Sequence, residues 1–172
     1  AAAAAAIAAD PTVARLAARV PRPKAGVRRV TVLDLTDGTG RTDLREAAAA
    51  VTEGLRRAVA ARPEFDMPDA AAARAVQRAG LPVPAVAVAT HAGAVVSGVL
   101  SMRRDSAAQL LVLAHDAARG YPRQVRAPSP VRAGDDATAV AAALLAAANE
   151  AFASALERVK WGEPARQVGP NP

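Results

Sequence analysis

Cysteine is absent from this chain of 172 residues. Disulfide bonds and thiolate metal sites are therefore excluded, which suits a periplasm or a cell surface but also other compartments. Aromatic residues make up only 2% of the chain, so the core has to be built from alanine, valine and leucine. Small side chains each bury little apolar area, and close approach of the backbones has to compensate.

Lysine is nearly missing as well, since Lys24 and Lys160 are the only lysines among 22 basic residues. Arginine therefore carries almost all of the positive charge, and the net charge is +6. Binding to single-stranded nucleic acid uses aromatic side chains on which the bases stack. Only Tyr121 lies near the arginines in sequence, so we expect no nucleic acid partner.

Long hydrophobic runs are missing too. No apolar stretch reaches the roughly 18–20 residues of a membrane-spanning helix, so we expect no transmembrane segment in this chain. The opening AAAAAAIAAD fits either the residues after a signal-peptidase cleavage site or the foot of an upstream anchor. The length suits one domain with tails. We expect a tether with a short helix at 1–26, the domain at 27–160 and a Pro-rich tail at 161–172.

Hydrophobic periodicity predicts alternating strands and helices. The predicted strands are 27–35, 64–67, 94–102, 108–117 and 123–127, and the predicted helices are 11–19, 43–62, 69–80 and 136–160. Residues 84–92 fit a strand by the spacing of their valines and a helix by Pro84 at a first turn. Residues 128–136 are predicted to form a loop.

This order of elements is typical of an α/β or α+β fold. We expect a single mixed β-sheet with helices packed mainly on one face. A β-meander is followed by a long C-terminal helix. The predicted hairpin of residues 92–120 lies at the centre of this arrangement.

Reactive side chains do not form a recognisable catalytic or metal-binding pattern. Neither His91 nor His115 has a second ligand at metal-binding spacing. His115 and Asp116 are neighbours on a predicted strand, so their side chains point to opposite faces and form no simple relay. Ser97 and Ser101 lack the G-x-S-x-G surroundings of a nucleophile elbow.

The loop TDGTGRTD carries Asp37 and Asp43 and follows Asp34. Three carboxylates near two glycines can bind a cation, but turn formation and helix capping explain them better. The loop also lacks the Lys-Ser/Thr pair of a phosphate-binding loop. We therefore predict no catalytic residue, no metal site and no cofactor, and we expect that the chain is not an enzyme.

Arginines concentrate around the predicted hairpin, and this is the best candidate for a functional surface. Clustered guanidinium groups pair with carboxylates or phosphates. An acidic protein surface is the first expected partner and anionic lipid headgroups are the second, whereas a solvated surface is the purely structural alternative. The predicted partner-binding residues are Arg103, Arg104, Arg119, Tyr121, Arg123, Arg126 and Trp161.

Several phrases of the sequence occur together in a known order. They are VLDL at 32–35, FDM at 65–67, AGAVVSGVL at 92–100 and DAARG at 116–120. In this order the chain resembles the TolB amino-terminal-domain family. That family is related to domains of the lipoproteins LpoB and CsgG and to extracytoplasmic domains of some receptor Ser/Thr kinases. The resemblance covers roughly residues 27–160.

Three positions depart from the family pattern: Leu35 stands for an aromatic residue, Val95 for an aspartate and Arg119 for a threonine. The resemblance implies a helix at 84–92. It also implies a non-catalytic, extracytoplasmic interaction domain, periplasmic and membrane-associated in bacteria. Such a domain would serve as an accessory or structural subunit of a complex with other proteins. A ligand-sensing module of a receptor Ser/Thr kinase is the alternative.

Overall fold

The computed structural model describes residues 2–102, 104, 107–117, 122–132, 137–157, 159 and 161. Its helices are α1 (Ala2–Ala9), α2 (Pro11–Ala17), α3 (Thr42–Ala60), α4 (Ala70–Arg78), α5 (Val83–Thr90) and α6 (Ala137–Glu157). Its strands are β1 (Arg28–Val32), β2 (Thr36–Asp37), β3 (Phe65–Asp66), β4 (Ala94–Met102), β5 (Ala107–Asp116) and β6 (Pro122–Arg132). Within this part of the chain, no helix combines the length and the hydrophobicity that crossing a membrane requires.

The strands form one mixed sheet in the order β3-β1-β4-β5-β6, with β2 beside the far end of β4. β1 runs parallel to both β3 and β4, whereas β4, β5 and β6 form an antiparallel meander. The predicted fold class, with its mixed sheet, meander and final long helix, is therefore confirmed.

Alternation along the strands assigns the helices to the two faces of the sheet. On one face α3 and α6 cover Val30, Val96 and Val112. On the other face Val95 packs with the buried side of α5 and with Val13 of α2. The two longest helices thus share one face, and the short helices cover the β1 end of the other.

A close approach of two strands explains Gly98 in the middle of β4. A Cβ atom there would lie 2.9 Å from the carbonyl oxygen of Leu111 and 3.2 Å from Cδ2 of Leu35. A larger residue would therefore require the backbone of β5 and the side chain of Leu35 to shift. Gly98 is therefore a point of close backbone approach between β4 and β5.

Helix α5 settles the ambiguity of residues 84–92 in favour of a helix. Its end is marked by His91, whose φ of 54° is in the left-handed region. Five of its eight residues are buried, because the N-terminal helices pack on one side and the sheet on the other. Apolar residues all round a helix leave no periodicity to distinguish it from a buried strand.

The N-terminal segment, expected to be a peripheral tether, is packed against the domain. Val13 of α2 is 2% exposed and Val20 is 6% exposed. Asp10 caps α2 by accepting hydrogen bonds from the backbone N–H groups of Thr12 and Val13. At the end of α2, the ring Nε2 of His91 donates to the Ala17 carbonyl over 3.0 Å. The segment therefore belongs to the hydrophobic cluster that α5 and Val95 form on the second face of the sheet.

Two predicted boundaries are wrong. α3 begins at Thr42 after Arg41, which makes no side-chain cap hydrogen bond, so the predicted cap Asp43 lies inside the helix. β6 extends to Arg132, through residues predicted as a loop, because a register shift opposite Ala107–Gln109 absorbs the extra residues. Residues 133–136, which precede α6, and the tail 162–172 lie outside the described residues.

Candidate interaction surface

The predicted hairpin arginines are only partly within the described chain. Arg104 is exposed in the turn between β4 and β5. Arg103, Arg119 and Tyr121 lie outside the described residues. The exposed position of Arg104 is compatible with the predicted role in binding, which stays a prediction.

Arg123 and Arg126 both belong to β6, but their register positions differ. Arg123 stands opposite Ala114, which is buried in the core, and Arg126 stands opposite Leu111, which is half-buried. Residues directly opposite each other in an antiparallel pair share one face of the sheet. The two positions therefore belong to opposite faces of the sheet, and the predicted role of these arginines in partner binding stays a prediction.

Trp161 packs against the chain itself. Its ring lies 5.3 Å from the ring of Phe65, centroid to centroid, and the guanidinium carbon of Arg28 lies 5.4 Å from the Trp161 ring. Gly93 is needed beneath it, since a Cβ there would meet the ring at 3.2 Å. The half-buried indole thus covers the beginning of β1, β3 and β4 and joins the main core. Its predicted role in partner binding stays a prediction.

The outer edge of β1 is closed by side chains where β3 ends. β3 pairs only with Arg28 and Arg29. Farther along, Nη2 of Arg56 donates to the carbonyl of Val32 over 3.1 Å. Next, the Asp34 N–H donates to Oε1 of Gln77 over 3.0 Å, and Nε2 of Gln77 donates to the Asp34 carbonyl over 3.2 Å. Two side chains therefore occupy the backbone groups that another strand would use.

Arg56 also neutralises the carboxylates around this edge. Its guanidinium donates to Asp34 over 2.8 Å and to Glu53 over 2.7 Å, and the side chain is 11% exposed. α3 lies close enough to β1 for a long side chain beside its apolar stripe to reach the strand end.

A second buried arginine joins three parts of the fold. Arg29 of β1 binds Asp66 with two hydrogen bonds, of 2.9 Å and 3.2 Å, and donates to the carbonyl of Thr90 over 3.2 Å. It also donates to the carbonyl of Pro21. A bidentate pair of this kind fixes geometry as well as charge. Arg29 therefore links β3, the end of α5 and the N-terminal segment.

The opposite edge of the sheet is β6, and the hydrogen bonds give the direction of its backbone groups. The Leu33 N–H donates to the carbonyl of Val96, so even-numbered residues of β4 face β1. The Ala117 N–H donates to the carbonyl of Gly93, so odd-numbered residues of β4 and β5 face each other. Backbone groups alternate sides along a strand, and even-numbered residues of β5 therefore face β6.

The register then assigns the residues of β6. Even-numbered Ala114, Val112 and Leu110 pair with Arg123, Val125 and Ala127, so odd-numbered residues of β6 bond to β5. The backbone N–H and carbonyl groups of the even-numbered residues of β6 therefore face outward, away from β5. Among the described residues, no strand lies beyond β6.

All three prolines of β6 occupy even-numbered positions: Pro122, Pro128 and Pro130. Proline lacks an N–H group and is tolerated in a sheet where that group would face away from the ladder. The prolines thus agree with the side assigned by register. They also remove donors from the exposed edge, a common device against unwanted strand pairing. Only Gln124 and Arg126, between the first two prolines, keep outward N–H groups there.

Two of the three carboxylates near the first loop, Asp34 and Asp37, have structural partners. Asp37 accepts hydrogen bonds from the N–H and the hydroxyl of Thr39, as a turn-forming aspartate does. Among the described residues, no three histidine, aspartate or glutamate side chains are placed to hold a metal ion. Throughout that same part, every buried side-chain nitrogen and oxygen has a hydrogen-bond partner.

The pKa values of two side chains, His115 and Glu64, are lowered from their ordinary values. Burial lowers the pKa of His115, and the neighbouring carboxylate of Asp116 opposes that shift. A backbone hydrogen bond lowers the pKa of Glu64, and Arg62 adds to the effect with its side chain. Glu64 is solvated and pairs with Arg62 over 2.6 Å, so its shift reports a surface contact.

Two surface grooves border the closed edge of β1. One, of about 460 Å³, is lined by charged residues that include Asp34, Arg45 and Arg74. The other, of about 520 Å³, lies between α3 and the start of α4 and includes Phe65 and Met67. Both volumes fall in the range of small-molecule pockets. The ligand-sensing alternative therefore has grooves of suitable size and stays an expectation.

No protein-family model matches the chain, and no curated protein matches its sequence. Among solved structures, it is similar to the LpoB C-terminal domain from Escherichia coli, with 18% identity and a TM-score of 0.43 over 67% of this chain and 92% of that one. TolB from Acinetobacter baumannii is 8% identical, with a TM-score of 0.43 over 79% of this chain and 31% of that one. Lipoprotein GNA1162 from Neisseria meningitidis is 12% identical, with a TM-score of 0.40 over 74% and 99%. LpoB and TolB are among the domains that the sequence resembles.

Proposed function

We propose that the chain is a non-catalytic protein-interaction domain of the cell envelope, outside the cytoplasm. It serves as an accessory or structural subunit of a membrane-associated complex. The observation that carries the proposal is the difference between the two edges of the sheet. Past the end of β3, the side chains of Arg56 and Gln77 close the outer edge of β1. On the other side of the sheet, β6 leaves an edge on which the described chain places no strand.

Three of the seven predicted partner-binding residues belong to β6 or to the turn that leads into β5. Arg104 lies in the turn that leads into β5, and Arg123 and Arg126 belong to β6. Pairing of a partner strand with an exposed sheet edge is a recurrent mode of protein recognition. The resemblance of the sequence to TolB-type domains supports the location outside the cytoplasm. An anionic lipid surface is the competing partner for these arginines.

Site-specific photocrosslinking in cells that express the full-length protein tests the proposal. A photoreactive residue is placed at Gln124 on the outer edge, at Arg104 in the turn, and at exposed Arg78 on α4 as the control. We expect the same protein to be crosslinked from positions 124 and 104, in the membrane fraction, and not from position 78. Crosslinks to lipid alone, or no crosslink from either test position, would contradict the proposal.

A further inference from the structure

We infer that the β6 edge binds one extended, acidic segment of a partner protein, which adds to the sheet as a strand along residues 123–127. The inference rests on the proposed function and names the chemistry of the partner. Main-chain hydrogen bonds supply affinity in this mode, and the side chains of the added strand supply selectivity.

The outward backbone groups define a short binding window. Gln124 and Arg126 each present an N–H and a carbonyl away from the sheet, as the register of β5 and β6 requires. On either side, Pro122 and Pro128 present carbonyls without a donor. A partner strand therefore finds two successive outward-facing residues with both a donor and an acceptor between these two prolines. At roughly 3.4 Å per residue, the window spans about 17 Å.

The positive charge of β6 favours a partner segment of negative charge. β6 contains Arg123, Arg126 and Arg132 and no acidic residue, and the whole chain carries a net charge of +6. Opposite charges on neighbouring strands stabilise their pairing, and like charges destabilise it. A second copy of this chain would bring two basic strands side by side. The charge thus favours an acidic segment of another protein over self-association.

A further proline at an even-numbered position of β6 removes an outward N–H group without a change of charge. Such a substitution distinguishes binding by backbone hydrogen bonds from binding by charge. Gln124→Pro removes one outward N–H and leaves the charge of the strand and its bonds to β5 intact. Gln124→Ala keeps the N–H and is the matched control. The probe is a fluorescent peptide of alternating glutamate and valine, and a peptide of alternating lysine and valine is its counterpart. Binding to the full chain is measured by fluorescence anisotropy.

We expect the acidic peptide to bind wild type and Gln124→Ala alike, and Gln124→Pro about tenfold more weakly, the effect of losing about 1.4 kcal/mol. The lysine peptide should bind none of the proteins. Equal binding of the acidic peptide to Gln124→Pro and Gln124→Ala would show attraction by charge alone and overturn strand addition. Failure of the acidic peptide to bind wild type, or equal binding of the lysine peptide, would also overturn the inference.

A variant of the probe keeps the test valid if Gln124→Pro fails to fold. An acidic peptide that is N-methylated at alternate residues loses donors without any change in the protein. It should bind wild type about tenfold more weakly than the unmethylated peptide, and equal binding would contradict strand addition. Pro128→Ala should strengthen binding, because it adds an outward donor to the window.

The two proposals can fail separately. If position 124 crosslinks a protein in cells but backbone methylation and Gln124→Pro change nothing, the interaction domain stands and strand addition is wrong. If no protein is crosslinked from positions 124 and 104, the proposed function is wrong even if the acidic peptide binds in vitro.

Discussion

The side-chain amide of Gln77 occupies both backbone groups of Asp34. The Asp34 N–H donates to Oε1 of Gln77 over 3.0 Å, and Nε2 donates back to the Asp34 carbonyl over 3.2 Å. The pair of bonds copies the pairing of a neighbouring strand. It thereby ends the sheet on the β3 side and ties α4 to the carboxyl end of β1.

Gln77→Ala tests the contribution of this contact to stability. The substitution leaves the half-buried backbone groups of Asp34 without their partners, so we expect the free energy of unfolding to fall by about 1–2 kcal/mol. Urea denaturation followed by circular dichroism measures the change. Arg78→Ala, at the exposed neighbouring position, is the control and should change stability by less than about 0.5 kcal/mol. Equal effects of the two substitutions would show that the Gln77 bonds do not close the edge.

Arg56→Ala should be more damaging than any other single arginine change on α3. It removes a buried guanidinium that serves Val32, Asp34 and Glu53, and Glu53 then keeps only its longer contact of 3.8 Å with Arg74. We expect a loss of about 2–4 kcal/mol in the free energy of unfolding, close to that for breaking a buried ion pair. Arg57→Ala, one residue along and exposed, should cost less than about 0.5 kcal/mol. A loss for Arg56→Ala no larger than that for Arg57→Ala would contradict the buried role.

His115 should make stability depend on pH in a defined direction. Burial lowers its pKa in the folded protein below the ordinary value of 6.5, so the unfolded chain binds the proton more readily. The contribution of the neutral ring is therefore full above pH 6.5 and is lost as the pH falls through that value towards the folded pKa. The stability difference between wild type and His115→Gln should shrink between about pH 7.5 and pH 5.5.

Nuclear magnetic resonance titration of the His115 ring checks the same prediction directly. The midpoint in the folded protein should lie below 6.5. A midpoint above that value would mean that attraction to the carboxylate of Asp116 outweighs burial. In that case the sign of the pH dependence would reverse.

Trp161→Ala should destabilise the fold through lost packing at the beginning of the sheet. The ring contacts Phe65 and Arg28 and covers Gly93. Because the ring is only half-buried, we expect about 1–3 kcal/mol, below the cost of truncating a fully buried aromatic residue. Trp161→Phe keeps an aromatic contact and should lose less. No loss of stability for Trp161→Ala would instead favour its predicted role in partner binding.

The sequence was sufficient for the elements whose hydrophobic spacing reports directly on the backbone. The stripe of Leu44, Val51 and Leu55 on α3 and the strands of the hairpin follow from local periodicity. The helix at 83–90 does not, since α5 is apolar on all sides and its period is hidden by burial from two directions. The resemblance to known domains was needed to favour the helix there.

The contacts that distinguish the two edges of the sheet could not be predicted from local sequence patterns. Gln77 lies 43 positions from Asp34 and Arg56 lies 22 positions from it, so no spacing in the sequence indicates that they meet. The prolines of β6 were visible but had suggested a loop. All three prolines stand at even-numbered positions. This can be interpreted only when the register shows which side of the strand bonds to β5. The packing of the N-terminal segment was missed for the same reason, because its contacts with α5 join residues that are far apart in sequence.

The most direct test of the open edge is amide hydrogen exchange along β6 in the free protein. We predict slow exchange at Arg123, Val125 and Ala127, whose N–H groups face β5, and fast exchange at Gln124 and Arg126. Addition of the acidic peptide should then protect Gln124 and Arg126 selectively. Protection of both amides in the free protein would contradict the account, because it would mean that the edge is already paired.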